Sequence, residues 1–185
     1  MLRDTDNGYG LVAVAFHWLV AILVIGLFAL GLWMVELSYY DPWYNRAPDI
    51  HRGVGIILVM IMVARVLWRF FNPKPAPLNS HSRFEQISAK AAHHSMYLLI
   101  FLVMVSGYLI STADGRSIDV FGWFSVPALL SGWDNQADIA GAVHEYSAWA
   151  LVILAGVHAL AGLKHHVIDR DNTLLRMLGR RGQVD

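Results

Sequence analysis

Apolar positions in this chain come in long unbroken runs rather than in the two- or four-residue periods of a soluble fold. Leu11 to Val35 contains no charged residue at all. About 25 such residues suffice to cross the ~30 Å of a bilayer's hydrocarbon with some tilt. Three further runs follow, and the pattern predicts spans at about 11–35, 51–71, 93–112 and 140–166. The second is the most interrupted, because Arg65 and Arg69 fall inside it and must either pair internally or snorkel. Between the first two spans, Tyr39, Tyr40, Trp43 and Tyr44 form the aromatic belt expected at a membrane interface. A Pro-broken segment, NPKPAPLNSHSR, separates the second and third spans. The loop 113–139 is long enough for a short helix lying on the membrane surface. The first span has too long an apolar core for a signal peptide and no small-residue cleavage site. The reading is one all-α membrane domain over 1–185, a four-helix bundle in the lipid bilayer.

Basic residues orient the spans. Arg3, Arg65, Arg69, Lys74, Arg83, Lys90, Lys164, Arg170, Arg176, Arg180 and Arg181 all fall on one side, against Arg46, Arg52 and Arg116 on the other. The positive-inside rule then places both termini in the cytoplasm.

Composition narrows the chemistry. Only 15% of the 185 residues are charged and 56% are hydrophobic, against about a quarter charged in an ordinary soluble domain. Formal net charge is zero, so no basic field points to nucleic acid. Cysteine is absent, which excludes disulfides, iron–sulfur clusters and covalent haem attachment through C-x-x-C-H. A metal here must rest on histidine, carboxylate or methionine.

Histidines supply that chemistry. His144 and His158 lie fourteen residues apart in the last span, which on a helix is ~21 Å and ~40° short of four turns. They project from nearly one face at two depths. His17, about six residues into the first span, matches His158 in depth; His51, opening the second span, matches His144. Ionisable residues inside a membrane are expensive and mark function by default. Two layers of two imidazoles suit two haems b, each iron taking one axial ligand from either side. Such iron has no open position, so its role is one-electron transfer. Gly53, Gly55, Gly141 and Gly156 near these histidines leave room for a flat macrocycle. Arg52 and Arg65 suit the propionates, although Arg65 also fits a snorkelling residue.

Other readings fit less well. A zinc site wants three or four ligands at one level, and His144-Glu145-Tyr146-Ser147-Ala148 lacks the second histidine of H-E-x-x-H. A proton relay or transporter would want a mid-span carboxylate, whereas Glu145 sits near the outer edge. His93 and His94 read as interfacial residues and His81 as an ordinary loop residue.

His17-Trp18-Leu19-Val20, His51, Met62-Val63-Ala64-Arg65 with Arg69, His144-Glu145 fourteen residues before His158, His165-His166 and the tail Asp171-Asn172-Thr173-Leu174-Leu175-Arg176-Met177 together resemble the bacterial cytochrome b561 family. Within it, the chain is most similar to the small di-haem superoxide oxidases. The likeness covers essentially the whole chain, with the tail its more specific signal. It implies a bacterial inner-membrane protein with two haems b, the outer held by His51 and His144 and the cytoplasmic-side haem by His17 and His158. It further implies ubiquinone reduction at the cytoplasmic side, with His165 and Lys74 as quinone-binding candidates. His165 follows His158 by seven residues, facing the same way ~10 Å along the helix. The expected activity is electron transfer from an outer donor, superoxide, to the quinone pool. The alternative is a membrane anchor that relays electrons from a periplasmic redox partner to quinone, docked on the loop 113–139 through Trp123, Phe124 and Trp133.

Overall fold

The computed structural model describes residues 1–6, 8–73, 75–76, 78 and 81–179. Four long helices carry the chain: α1 (Leu11–Met34), α2 (Arg46–Phe71), α3 (Arg83–Ser111) and α4 (Gln136–Val167). Each is long and apolar enough to cross a membrane. A hairpin, β1 (Ile118–Val120) with β2 (Phe124–Val126), stands between α3 and α4, and a short helix, α5 (Thr173–Met177), follows.

Helix α1 begins at Leu11 as expected, whereas α2, α3 and α4 begin earlier than hydropathy alone predicts, and local interactions explain where. The polar lead folds back onto the start of α1: Gly10 N–H donates to Asp4 Oδ1 (2.6 Å) and Leu11 N–H to Met1 O (3.1 Å), satisfying amides that a helix N-terminus leaves open. In α2, Pro48 and Asp49 occupy the first turn, where proline costs no hydrogen bond and an acid complements the helix dipole. His51 therefore lies inside the helix instead of opening it. Helix α3 starts on a capping box: Ser82 N–H donates to Glu85 Oε2 (2.9 Å) and Glu85 N–H to Ser82 Oγ (3.2 Å). That start puts His93 ten residues into the helix. At the far end of α4, Lys164, His165 and His166 fill the last turn, as the dipole favours.

The loop after α3 holds the hairpin in place of the expected surface helix, a small addition to a fold that is otherwise helical as expected. Alternation decides it. Ile118 and Val120 are buried while Asp119 between them is exposed, a period of two that no helix sustains. Phe121 and Gly122 both take positive φ, 55° and 72°, the two-residue signature of a type I′ turn. Gly122 N–H is held by Asp119 Oδ2 at 2.9 Å and Trp123 N–H by Val120 O at 2.9 Å.

Contacts divide the chain into two compact units, each taking part of all four long helices. One, the terminal unit, comprises the described residues of Met1–Ala21, Ile61–Met96 and Ile153–Asp185; the other, the loop unit, comprises Ile22–Met60 and Tyr97–Val152. In the terminal unit, Trp18 Nε1 donates to Met177 O (2.7 Å) and Arg176 Nη1 to Ala76 O (2.9 Å), so the tail is tied to α1 and to the Pro-rich segment. In the loop unit, Gln136 Nε2 donates to Leu109 O and Leu130 O (2.9 and 3.2 Å), joining the start of α4 to the end of α3. Apolar side chains such as Ile22, Ile153 and Leu160 point outward with 62–67% of their surface exposed, as on a surface meant for lipid.

Candidate functional site

The loop unit brings His51 of α2 and His144 of α4 together, with ring centroids 6.1 Å apart. His144 Nδ1 lies 2.9 Å from Val103 O. A carbonyl only accepts, so Nδ1 carries the hydrogen and Nε2 keeps a free lone pair. Ser106 Oγ sits 3.3 Å from the same nitrogen while donating to Leu102 O at 2.6 Å. His51 Nδ1 is buried with no hydrogen-bond partner.

Two glycines clear the space for these rings. A Cβ at Gly107 on α3 would stand 3.0 Å from His144 Cε1, and one at Gly31 on α1 would stand 3.4 Å from His51 Cε1. Of the four glycines expected to leave room for a macrocycle, Gly55, Gly141 and Gly156 face open space and Gly53 does not. Gly53 accommodates the Phe121 ring of the hairpin, where a Cβ would lie 2.7 Å from Phe121 Cζ.

The terminal unit brings His17 of α1 and His158 of α4 to 6.4 Å. It adds a third imidazole, His93 of α3, at 5.2 Å from His158. His93, read from the sequence as interfacial, is half-buried beside the pair. Arg65 Nη1 donates to Phe16 O at 3.3 Å, next to His17 in sequence, so its head is engaged within the unit. Arg52, in the loop unit, is paired with Asp49 at 2.5 Å and is largely exposed.

Both pair separations suit a metal held between two rings. Nitrogen–metal bonds of about 2.0–2.1 Å on opposite sides place imidazole centres about 6 Å apart. The half-buried, close-set imidazoles with one proton-fixed partner match the donor set a haem iron requires.

At the end of α4, His165 joins a polar cluster. His165 Nδ1 lies 2.7 Å from Asp169 Oδ2 and 3.4 Å from Asp171 Oδ2, and Asp171 Oδ2 lies 2.9 Å from His81 Nε2. Burial pushes the Asp171 carboxyl upward, but hydrogen bonds from Thr173 and His81 outweigh it and hold the group below its ordinary value. Lys164 bridges Glu85 and Asp169 at 3.0 and 2.8 Å. Lys74, the other quinone candidate, lies outside the described residues.

Sequence reasoning missed His81, His93 and Asp171. The Ser82-x-x-Glu85 capping box was the readable signal for His93, since it starts α3 well before the uncharged run. No periodicity marks His81 or Asp171; both sit outside the long helices.

The family model for prokaryotic cytochrome b561 matches residues 8–180. The chain belongs to this family. It is 55% identical over 177 residues to "Cytochrome b561 homolog 2" of Escherichia coli K12, covering 96% of this chain and 94% of that protein. It is 32% identical over 178 residues to "Probable superoxide oxidase CybB" of Yersinia pestis, covering 94% and 97%. Cytochrome b562 of Cereibacter sphaeroides is 25% identical over 181 residues, covering 95% and 98%. As a cytochrome b561 family protein with four candidate spans, the chain is a multi-pass membrane protein of haem b electron transfer.

Proposed function

We propose that this cytochrome b561 passes electrons one at a time from an outer donor, superoxide, to ubiquinone, and that it does so in the bacterial inner membrane with both termini cytoplasmic. The observation that carries this reading is the pair of imidazole pairs, one in each unit, at 6.1 and 6.4 Å. His51 and His144 would hold one haem b and His17 and His158 a second. Haem iron so ligated supplies a one-electron couple with both axial positions filled.

The rest is the work of the chain. Val103 O, by fixing the hydrogen on His144 Nδ1, keeps that ring oriented and makes Nε2 more basic. Gly31 and Gly107 leave the rings clear of neighbouring side chains. Arg65 would neutralise a propionate from within the terminal unit. His165, backed by Asp169 and Asp171, would donate a proton to a quinone carbonyl; Lys74 is its proposed partner. Arg52 fits a propionate less readily, because Asp49 already occupies it.

The donor rests on the likeness to the superoxide oxidase-named relative. One observation favours the second reading, a relay for a periplasmic redox partner. Of the three arginines on the outer loops and adjoining helix, Arg52 is paired with Asp49 and Arg116 with Asp114, which weakens a field that would draw in an anion. Rapid mixing of the oxidised, haem-loaded protein with superoxide and excess ubiquinone separates the two. Fast optical reduction followed by quinone-dependent reoxidation is the expected result. Two haems per chain that ignore superoxide would leave the relay, and a single haem per chain would overturn the di-haem assignment.

A further inference from the structure

Outside the imidazole pairs, one cluster in the terminal unit converges on a point. His81 Nε2, His165 Nδ1 and Asp171 Oδ2 all lie within 4.8 Å of one another. The edges that meet at Asp171 Oδ2 are 2.9 and 3.4 Å, against edges of about 3.4 Å in a tetrahedron with zinc–nitrogen and zinc–oxygen bonds of about 2.0–2.2 Å. A relaxation of a few tenths of an ångström would open the shorter one.

One nitrogen of this cluster is left out of its hydrogen-bond network. His165 Nδ1 is fully buried and has carboxylate oxygens at 2.7 and 3.4 Å, yet it makes no hydrogen bond. Its lone-pair direction misses both oxygens. His81 Nε2, by contrast, is hydrogen-bonded to Asp171 Oδ2 at 2.9 Å and has Thr173 Oγ1 at 3.2 Å, so a metal would replace that bond and engage the one nitrogen left without a partner. Asp169 Oδ2, the nearer of the two oxygens, is a further donor at hand, though it also receives Lys164 at 2.8 Å.

Charge favours a dication. Glu85, Asp169 and Asp171 surround the two imidazoles and, among the described residues, Lys164 is the cation ion-paired with them, a net charge of about −2 with the histidines neutral. Side-chain exposure of His81, His165 and Asp171 is 18%, 14% and 9%, so the site is partly shielded from water. Two nitrogens and a carboxylate select zinc-like transition metals over magnesium or calcium.

We propose that His81, His165 and Asp171 form a divalent zinc-type metal site that fastens the segment before α3 to the end of α4 and the tail. With Nδ1 of His165 on the metal, the hydrogen of that ring stays on Nε2. The metal site shares His165 with the quinone reading, and metal retention tests it without quinone.

The experiment uses the full-length, haem-loaded protein in detergent, purified without a polyhistidine tag and stripped with EDTA. It is titrated with Zn²⁺ against a chromogenic chelator, with haem content measured on the same sample. One tight zinc per chain is expected, undisturbed by excess magnesium. His81→Gln and Asp171→Asn should each weaken it by about 100-fold or more. His94→Gln, whose ring bonds Lys90 O at 2.7 Å away from the cluster, should leave it unchanged. Absence of a tight zinc in the wild-type protein overturns the proposal whatever the variants do. So does undiminished binding in both cluster variants, or displacement by magnesium.

Discussion

The two units solve the same placement problem with different surroundings. In the loop unit, two imidazoles face each other with a glycine against each ring, and one has its proton held by a backbone carbonyl. In the terminal unit the His17–His158 pair has a third imidazole within 5.2 Å and a guanidinium engaged next to His17 in sequence. Among the described residues of the terminal unit, no glycine Cβ would meet a histidine. The loop-unit site is closed and specified by backbone; the terminal-unit site is crowded with groups that carry protons. Under the proposed function, the first would be a centre that only moves electrons and the second a centre beside proton-consuming quinone chemistry.

The sharpest way to break this comparison is to remove ligands. His144→Ala should lose about half the haem, read as pyridine haemochrome per chain, because nothing else in the loop unit is placed to replace it. His17→Ala should behave differently. It leaves His93 beside His158, so residual haem with an altered spectrum is expected, and the double change with His93→Ala should abolish it. Equal, complete losses from His144→Ala and His17→Ala would erase the contrast.

The glycines come next. Gly107→Ala puts a methyl 3.0 Å from His144 Cε1 and 3.2 Å from Nδ1, which should tilt the ring off Val103 O. A cost of about 1–3 kcal/mol is expected for such overpacking, seen as weaker haem retention in the loop unit. Gly31→Ala, at 3.4 Å from His51, should cost less. If the two alanines behave alike, the cradle is looser than the distances imply.

A smaller effect tests the hairpin. Gly53→Ala would place a Cβ 2.7 Å from Phe121 Cζ, so thermal unfolding should start earlier. Phe121→Ala should relieve it, giving a coupling of about 1 kcal/mol in a double-mutant cycle. Strict additivity would mean that the ring moves away freely.

The smallest effect is expected at Asp114, whose carboxyl Arg116 holds below the ordinary 3.8 through side-chain and backbone hydrogen bonds. A depressed carboxyl contributes stability that is present above its unfolded value and lost as pH falls through its folded one. The window therefore lies below about pH 4, and full exposure makes the pair nearly worthless at neutrality. Asp114→Asn should leave the unfolding midpoint at pH 7 unchanged. Superoxide reactivity should be unchanged too, unless freeing Arg116 raises it.

How much of this was legible beforehand depends on whether the cause is local. His17, His51, His144 and His158 could be paired by counting residues, because a helix converts number into depth at 1.5 Å per residue. His93 was misjudged because hydropathy marks where lipid begins and not where a helix begins; the Ser82–Glu85 capping box set the latter. The hairpin was hidden because Phe121-Gly122 is a weaker turn signal than Asn-Gly, and its buried face spans only Ile118 and Val120.

By itself, then, the sequence determined the four apolar helices, the absence of cysteine chemistry, the four histidines and the family. All follow from runs, counts and spacings that act along the chain. Tertiary structure alone decided that Gly31 and Gly107 face the imidazoles, that Val103 O takes the His144 proton, and that His81, ninety residues before Asp171, meets it across the terminal unit. These depend on the rotation and offset of one helix against another. Nearly uniform apolar helices leave that choice unmarked in the residue pattern, because every face of such a helix is equally suited to lipid.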